Sequence, residues 1–391
     1  MQSTSSPRYF TLVLGVLTAF SAISTDMYLP SLPAISVELN APVATVQLTL
    51  AAFMIGMGIG QLVYGPVSDR WGRRPPLLFG VSLYILASVG CVLARSIEAL
   101  IAARFLQALG GAAGPVIARA IVRDTYSGKD IARVLSLMML VMGVAPILAP
   151  LAGSAMLGLF GWRSIFVAFA VFGLVAWTLA LIAIPRGRSL AQSGTLPQSL
   201  GSLIADRGFV AAALTGSFGS SVLFAYLAGS SFVFIGVYHF TPQQFAVLFG
   251  LNAAGFIGAS QLNRALLVRF PTHAIAIGAA LVMCCAGGLL LSIVSIAGHS
   301  TFAAAFALFV CIGSIGMMVP NTTAIALHNH AARAGVASSV LGATQFAVAA
   351  SVMSVVGVLH DGTARPMSAV IAISACIAFV LSLRLRSAQA S

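Results

Sequence analysis

What this sequence lacks most is charge. Of its 391 residues only 7% are Asp, Glu, Lys or Arg, and only eight are acids. A soluble domain carries about 25% charged residues, so this chain cannot cover a water-facing surface. Hydrophobic residues make up 59% of it and the mean hydropathy is +1.03. Lipid is the solvent that such a composition fits. The signatures of soluble catalysis are missing too. The five cysteines all fall in apolar segments with no C-x-x-C pair, so packing is expected of them rather than metal binding or disulfides. No histidine pairs with Glu at a zinc-type spacing, and neither a nucleophile elbow nor a phosphate-binding glycine loop occurs. The G-x-G run at Gly56, Gly58 and Gly60 lies within an apolar segment, where its Gly56-xxx-Gly60 spacing suits close helix packing. An enzyme embedded in the bilayer would need a second buried acid, a His or a paired nucleophile, and none is present. Neither enzyme activity nor a metal or cofactor is expected.

What is there is a series of twelve apolar segments, at about 9–35, 44–67, 76–95, 98–121, 132–158, 162–184, 209–238, 243–263, 273–297, 300–327, 335–359 and 366–384. Each approaches the roughly 20 residues that cross about 30 Å of hydrocarbon. Backbone groups cannot go unbonded in lipid, so these spans are helices. The first has a short, weakly basic leader and no small-x-small cleavage site, and is read as a retained helix rather than a signal peptide. A stretch rich in Ser, Gly, Pro and Gln, PRGRSLAQSGTLPQSLGSLIADR, separates six spans from six. The expected organisation is an N-terminal six-helix half (1–185), a linker (186–207) and a C-terminal six-helix half (208–391), two halves that suggest a parallel repeat. The fold class is thus an all-α integral membrane protein of 12 transmembrane helices.

The net charge of +12 invites a nucleic-acid reading, which its distribution excludes. With the N-terminus in the cytoplasm, 16 of the 20 basic residues fall on cytoplasmic loops and helix ends, and only Arg95, Arg163 and Arg365 on the other face. This asymmetry orients a membrane protein. It predicts both termini inside and says little about a ligand.

The acids say more. Glu38, Glu98 and Asp361 map to outer helix ends or loops, and Asp69, Asp124, Asp130 and Asp206 to the cytoplasmic side. That leaves Asp26, in STDMYLPSLP, as the one acid inside a predicted span. An Asp at mid-helix costs about 2.5–3.5 kcal/mol on insertion scales, which makes a buried one a functional hypothesis by default. The alternative places it in water, capping the outer helix end beside Tyr28 and the prolines. Pro30 cannot bond the Asp26 carbonyl, nor Pro33 that of Leu29, so the helix is expected to loosen and bend at the acid. The twentieth basic residue, Arg104, lies inside span 4. At 1.5 Å per residue, Arg104 sits about 9 Å and Asp26 about 15 Å below the outer surface, close enough for an interaction. Arginine nearby favours the ionised carboxylate while burial favours the neutral one; a purely structural ion pair is the competing reading.

The stretch GPVSDRWGRRPPLL, with Gly65, Asp69, Arg70, Gly72, Arg73 and Arg74, resembles the signature loop between spans 2 and 3 of the major facilitator superfamily. LIAARFLQALGGAA resembles its span-4 motif, with Arg104, Gln107 and Gly110 in place and Ala108 where a glycine is common. GVAPILAPLAG, with Gly143, Pro146, Pro150 and Gly153, looks like its span-5 antiporter motif. DMYLPSLP, RDTY and GWRSIF resemble the drug-exporting subfamily associated with bicyclomycin and chloramphenicol resistance. In the second half, Asn263 to Phe270 is a faint echo of the signature loop without its glycine and acid.

The resemblance implies that the loop of Asp69 switches conformation against the start of span 11, near Arg333–Gly335. The physical counterpart is a carboxylate facing a positive helix N-terminus. In span 5, Ala145, Ala149 and Gly153 recur every four residues, a smooth stripe for a partner helix, and the two prolines are expected to bend it. The resemblance further implies a central, mostly apolar substrate cavity, for which the candidates are Tyr28, Gln61, Met138, Tyr226, Phe232, Asn252, Asn321 and Gln345. Multidrug relatives often carry a second acid two turns before the first; here that position is Thr18, which favours neutral compounds over cations. The expected function is proton-driven efflux of such drugs by a monomer in the inner membrane, with Asp26 carrying the proton and Arg104 coupled to it. Facilitated or inward transport of another metabolite, and a non-transporting receptor, are the alternatives; sugars are disfavoured because their hydroxyls need many polar partners.

Overall fold

The computed structural model describes residues 7–126, 129–184, 203, 205–296, 300–328, 330 and 334–385. Among these described residues, ten helices are long and apolar enough to cross a membrane. An eleventh span is a bent pair, Phe10–Thr18 and Phe20–Glu38, meeting at 42°. The twelfth is Lys129–Phe160, whose section Val144–Phe160 is apolar. Spans 2 to 6 are Val43–Trp71, Arg74–Leu93, Ile97–Gly111 continued as Ala113–Thr125, Lys129–Phe160 and Arg163–Ala183. Spans 7 to 12 are Arg207–Ser231 with a π-helical turn at Phe232–Val237, then Pro242–Leu266, Thr272–Ser295, Thr301–His328, Ala334–Val358 and Arg365–Ser382.

The chain separates into two compact units, Met1–Ala41 with Ala52–Gly194, and Pro42–Ala51 with Thr195–Ser391. The start of span 2 therefore groups with the second unit. Most of the stretch expected as a linker, 185–202, lies outside the described residues. In the first unit, span 3 packs on spans 4 and 6 and span 5 runs along span 1. In the second, span 7 touches spans 10, 11 and 12.

Small residues set the approach of the helices. A Cβ on Gly56 would lie 2.5 Å from the Phe105 carbonyl oxygen and 2.9 Å from Ala108, and one on Gly60 2.5 Å from Ala112. Spans 2 and 4 are thus in backbone contact, as the Gly56-xxx-Gly60 spacing suggested. The Ala108 methyl, where a glycine is common, fills the space that Gly56 leaves.

The second unit is anchored where span 7 begins. Asp206 accepts from the N–H groups of Gly208 (2.7 Å) and Phe209 (3.2 Å), capping the helix, and its other oxygen meets His330 Nε2 at 2.9 Å. Burial opposes the charged carboxylate, but the Phe209 N–H, His330 and the Gly208 N–H together hold it below the usual carboxylate range. Its stabilising contribution is therefore complete above about pH 3.9 and lost as the pH falls through the lowered value. Asp206→Ala should reduce stability by about 1–2 kcal/mol, the worth of an N-cap, whereas Asp206→Asn, which keeps the acceptor, should lose less. Thermal denaturation of the two purified variants at neutral pH checks the order.

Candidate functional site

Asp26 ends the second helix of span 1, Phe20–Asp26, and only 6% of its surface is exposed. Met27 and Tyr28 follow, then a tight 3-10 turn at Leu29–Ser31 holding Pro30, then Leu32–Glu38. The prolines interrupt the α-helix just beyond the acid, as expected. The 42° bend, however, lies elsewhere, at Ala19, about two turns earlier. There the Thr18 hydroxyl donates to the Gly15 carbonyl (2.7 Å), and the Ala19 N–H reaches back only three residues, to Val16. A Cβ on Gly114 of span 4 would stand 2.3 Å from the Leu17 carbonyl oxygen. A hydroxyl bonding into the helix ladder is a recognised cause of a bend, and Thr18 is the residue in the place of a second acid.

Arg104 is wholly buried. Its Nη2 donates to the Ser24 carbonyl (3.1 Å) and its Nη1 to Gln107 Oε1 (2.6 Å), while Nε has no partner. The guanidinium carbon lies 4.5 Å from the Tyr28 ring centroid, 4.2 Å from Phe53 and 5.8 Å from Phe166. Aromatic faces attract a desolvated cation but do not neutralise it. No salt bridge joins it to Asp26 or to any other acid among the described residues. The pairing read from helix depth is thus not made; the guanidinium instead holds the backbone carbonyl of Ser24, two residues before Asp26 in the chain. Ser24 Oγ shares a 2.7 Å hydrogen bond with Tyr84 Oη, Gln107 Nε2 donates to Ser88 Oγ, and Ser88 donates to the Tyr84 carbonyl. Spans 1, 3 and 4 are joined in one polar ring beside the acid. Tyr84 and Ser88 were passed over in the sequence; two polar groups a helical turn apart inside an apolar span are the signal that would have found them.

Two motifs lock this arrangement from either side. In GWRSIF, Gly161 takes φ +76°, the left-handed region that favours glycine. Trp162 Nε1 donates to Glu38 (2.7 Å), Arg163 pairs with Glu38 and donates to the carbonyls of Val92 and Ala94, and Phe166 packs on Tyr28. The end of span 1 is so tied to spans 3 and 6. On span 5, a Cβ at Gly153 would lie only 2.0 Å from the Met27 carbonyl oxygen. The partner of the small-residue stripe is therefore span 1, met at its break. Pro146 and Pro150 fall inside the continuous helix Lys129–Phe160, and the side chain at 143 lies outside the described residues.

In the signature loop, Gly72 has φ +84°, which accounts for a glycine there. Arg73 donates to Asp69 (2.5 Å), Asp124 (2.7 Å) and Ser68 (2.8 Å), and Arg74 to the Leu181 carbonyl (2.7 Å). Arg70 is exposed and Gly65 half-buried. Arg333, at the expected partner of Asp69, lies outside the described residues. Of the cavity candidates, Tyr226 and Asn252 meet within the second unit. Tyr28 is packed against Phe166; Gln61 and Gln345 are half-buried; Met138 is buried. Asn252 donates to the Tyr226 hydroxyl (3.1 Å) and Tyr226 stacks on Phe249. Phe232 lies beside His360, and Asn321 donates to Asn263 Oδ1 (2.6 Å).

A family model described as Major Facilitator Superfamily matches residues 14–358. The chain belongs to that superfamily. It is 36% identical over 382 residues to the uncharacterized MFS-type transporter YdgK of Bacillus subtilis, covering 93% of this chain and 92% of that one. It is 30% identical over 372 residues to the bicyclomycin resistance protein homolog of Haemophilus influenzae, covering 94% and 93%. To the multidrug resistance protein MdtL of Escherichia coli K12 it is 32% identical over 326 residues, covering 82% and 81%. A D-xylose-proton symporter superposes with a TM-score of 0.78 at 15% identity over 97% of both chains, a likeness of fold. As a superfamily member the protein is a multi-pass membrane transporter and not an enzyme.

Proposed function

We propose that the protein is a proton-driven exporter of small, mostly lipophilic drugs, of the chloramphenicol or bicyclomycin type, across the bacterial inner membrane. The observation that carries this reading is a buried acid without a salt bridge, two residues from the carbonyl that holds a buried arginine with no acidic partner. Protonated, Asp26 is neutral and cheap to bury. Deprotonated, it is a charge that burial opposes, so the proton leaves where water or a partner reaches the carboxylate. In the outward-open protein a proton loads onto Asp26 and the drug leaves. In the inward-open protein drug binding and loss of the proton are coupled through the Ser24–Arg104 link. The relatives named for bicyclomycin and multidrug resistance support this substrate class. The proton gradient is the sole energy source, no cofactor takes part, the working unit is a monomer, and both termini are cytoplasmic.

The test is drug susceptibility in a strain stripped of its own exporters. Expression should raise resistance to neutral lipophilic antibiotics. A charged hydrogen bond such as Arg104 to Ser24 is worth about 1.5–3 kcal/mol, so Arg104→Gln should cut export about tenfold or more. Unchanged susceptibility across the panel would refute the export reading.

A further inference from the structure

The second unit carries a feature that drug export does not use. A crevice of about 280 Å³ opens where the ends of spans 8 and 9 meet span 10. The residues that line it are all apolar and include Leu266, Phe270, Ala274, Gly278, Val282 and Met317. Ala274, Gly278 and Val282 recur every four residues and so share one face of span 9. Gly278 gives the crevice its depth, since no atom lies within 4 Å of where its Cβ would stand.

At the mouth the chain turns, with the Phe270 N–H bonding the Leu266 carbonyl at 2.9 Å. Arg264, in the last turn of span 8, and Arg269, in this turn, are both exposed. Neither guanidinium has a hydrogen bond or ion pair among the described residues. The stretch from Asn263 to His273 contains no acid. Elsewhere in the second unit Asp206 is engaged by His330, and Asp361 bonds Thr363 in the loop between spans 11 and 12, which emerges on the opposite side of the bilayer. Two arginines with no acidic partner therefore belong to the same chain turn as Leu266 and Phe270, which line the apolar slot.

A ligand complementary to both parts has an anionic head and a hydrocarbon tail. A soluble anion lacks the tail and a neutral drug lacks the charge. The surrounding bilayer supplies molecules with both. We propose that the crevice binds one anionic phospholipid, its acyl chain between spans 8, 9 and 10 and its phosphate on Arg264 and Arg269. Planar guanidinium matches phosphate in a bidentate fashion, and basic sites between spans on the positively charged side suit such headgroups. By the parity of the spans this is the leaflet that the signature loop faces.

The full-length protein would be reconstituted in vesicles of phosphatidylcholine mixed with phosphatidylglycerol, gently extracted, and its retained lipid counted by native mass spectrometry. Wild type should keep one phosphatidylglycerol in preference to phosphatidylcholine. Replacing both arginines, Arg264→Gln with Arg269→Gln, should weaken retention about thirtyfold, equivalent to about 2 kcal/mol for two surface arginines. Gly278→Leu should lose the lipid by filling the slot. Gly258→Leu, at another glycine whose Cβ direction is open, should keep it. The proposal is overturned if Gly278→Leu or the double arginine variant retains phosphatidylglycerol like wild type, or if both lipids are held equally. A protein dimer that Gly278→Leu dissociates would also overturn it, by giving the slot to a second copy.

Discussion

Asp26→Asn is expected to bring export driven by a pH gradient down to background while leaving the protein folded. The amide matches the carboxyl in shape and cannot carry a proton. Asp26 is 6% exposed and forms no salt bridge among the described residues, so the exchange strands no partner. An Asp at mid-helix costs about 2.5–3.5 kcal/mol on insertion scales, and removing that charge should hold thermal stability level or raise it. The combination separates a proton carrier from a structural acid. A structural acid would lower stability when neutralised, and its transport loss would track the amount of folded protein. Drug uptake into inverted vesicles after an imposed pH jump, normalised to folded protein, reads the difference. Asp26→Glu, which restores a titratable group on a longer arm, should recover part of the activity.

The second large effect is expected at Gly153. A methyl group there would stand 2.0 Å from the Met27 carbonyl oxygen, 2.9 Å from its carbon and 3.1 Å from its Cα. All three are backbone atoms, so no side chain can swing aside; span 1 or span 5 must move. Overpacking of this kind costs about 1–3 kcal/mol. It would fall on the residue next to Asp26, where the chain passes from α-helix to the 3-10 turn. Gly153→Ala should therefore lower transport by an order of magnitude or more, with a loss of thermal stability of the stated size. Gly258→Ala, on an open helix face, should leave both unchanged. Equal transport in the two variants would mean that the approach of span 5 to span 1 does not set the geometry at the acid.

The helices were legible because lipid leaves the backbone a single option, and a run of apolar residues records it directly. Asp26 was legible for a related reason, since a lone carboxylate in such a run has no structural explanation at hand. Gly72 could be singled out as part of a motif, and its left-handed backbone now supplies the physical cause. Partners distant in sequence were not readable. Nothing near Glu38 announces Trp162 and Arg163, more than a hundred residues away. The bend at Ala19 depends on Thr18 turning back to Gly15 and on Gly114 standing against Leu17, whereas the prolines that advertised a bend only tighten the turn. Depth along two helices suggested that Asp26 and Arg104 meet, but depth carries no azimuth, and the guanidinium turns to Ser24 and Gln107 instead. Among the cavity candidates, Asn321 is taken up by Asn263. A polar residue in an apolar span predicts a partner without saying whether it is a ligand or another side chain.

The central claim is that Asp26 exchanges its proton for drug. The most direct measurement is proton release from the purified protein in weakly buffered detergent as chloramphenicol is added, followed with a pH dye. The account predicts a release that saturates with drug in the wild type and is absent in Asp26→Asn. Equal release from both proteins, or none from a wild type shown to bind the drug, would contradict it.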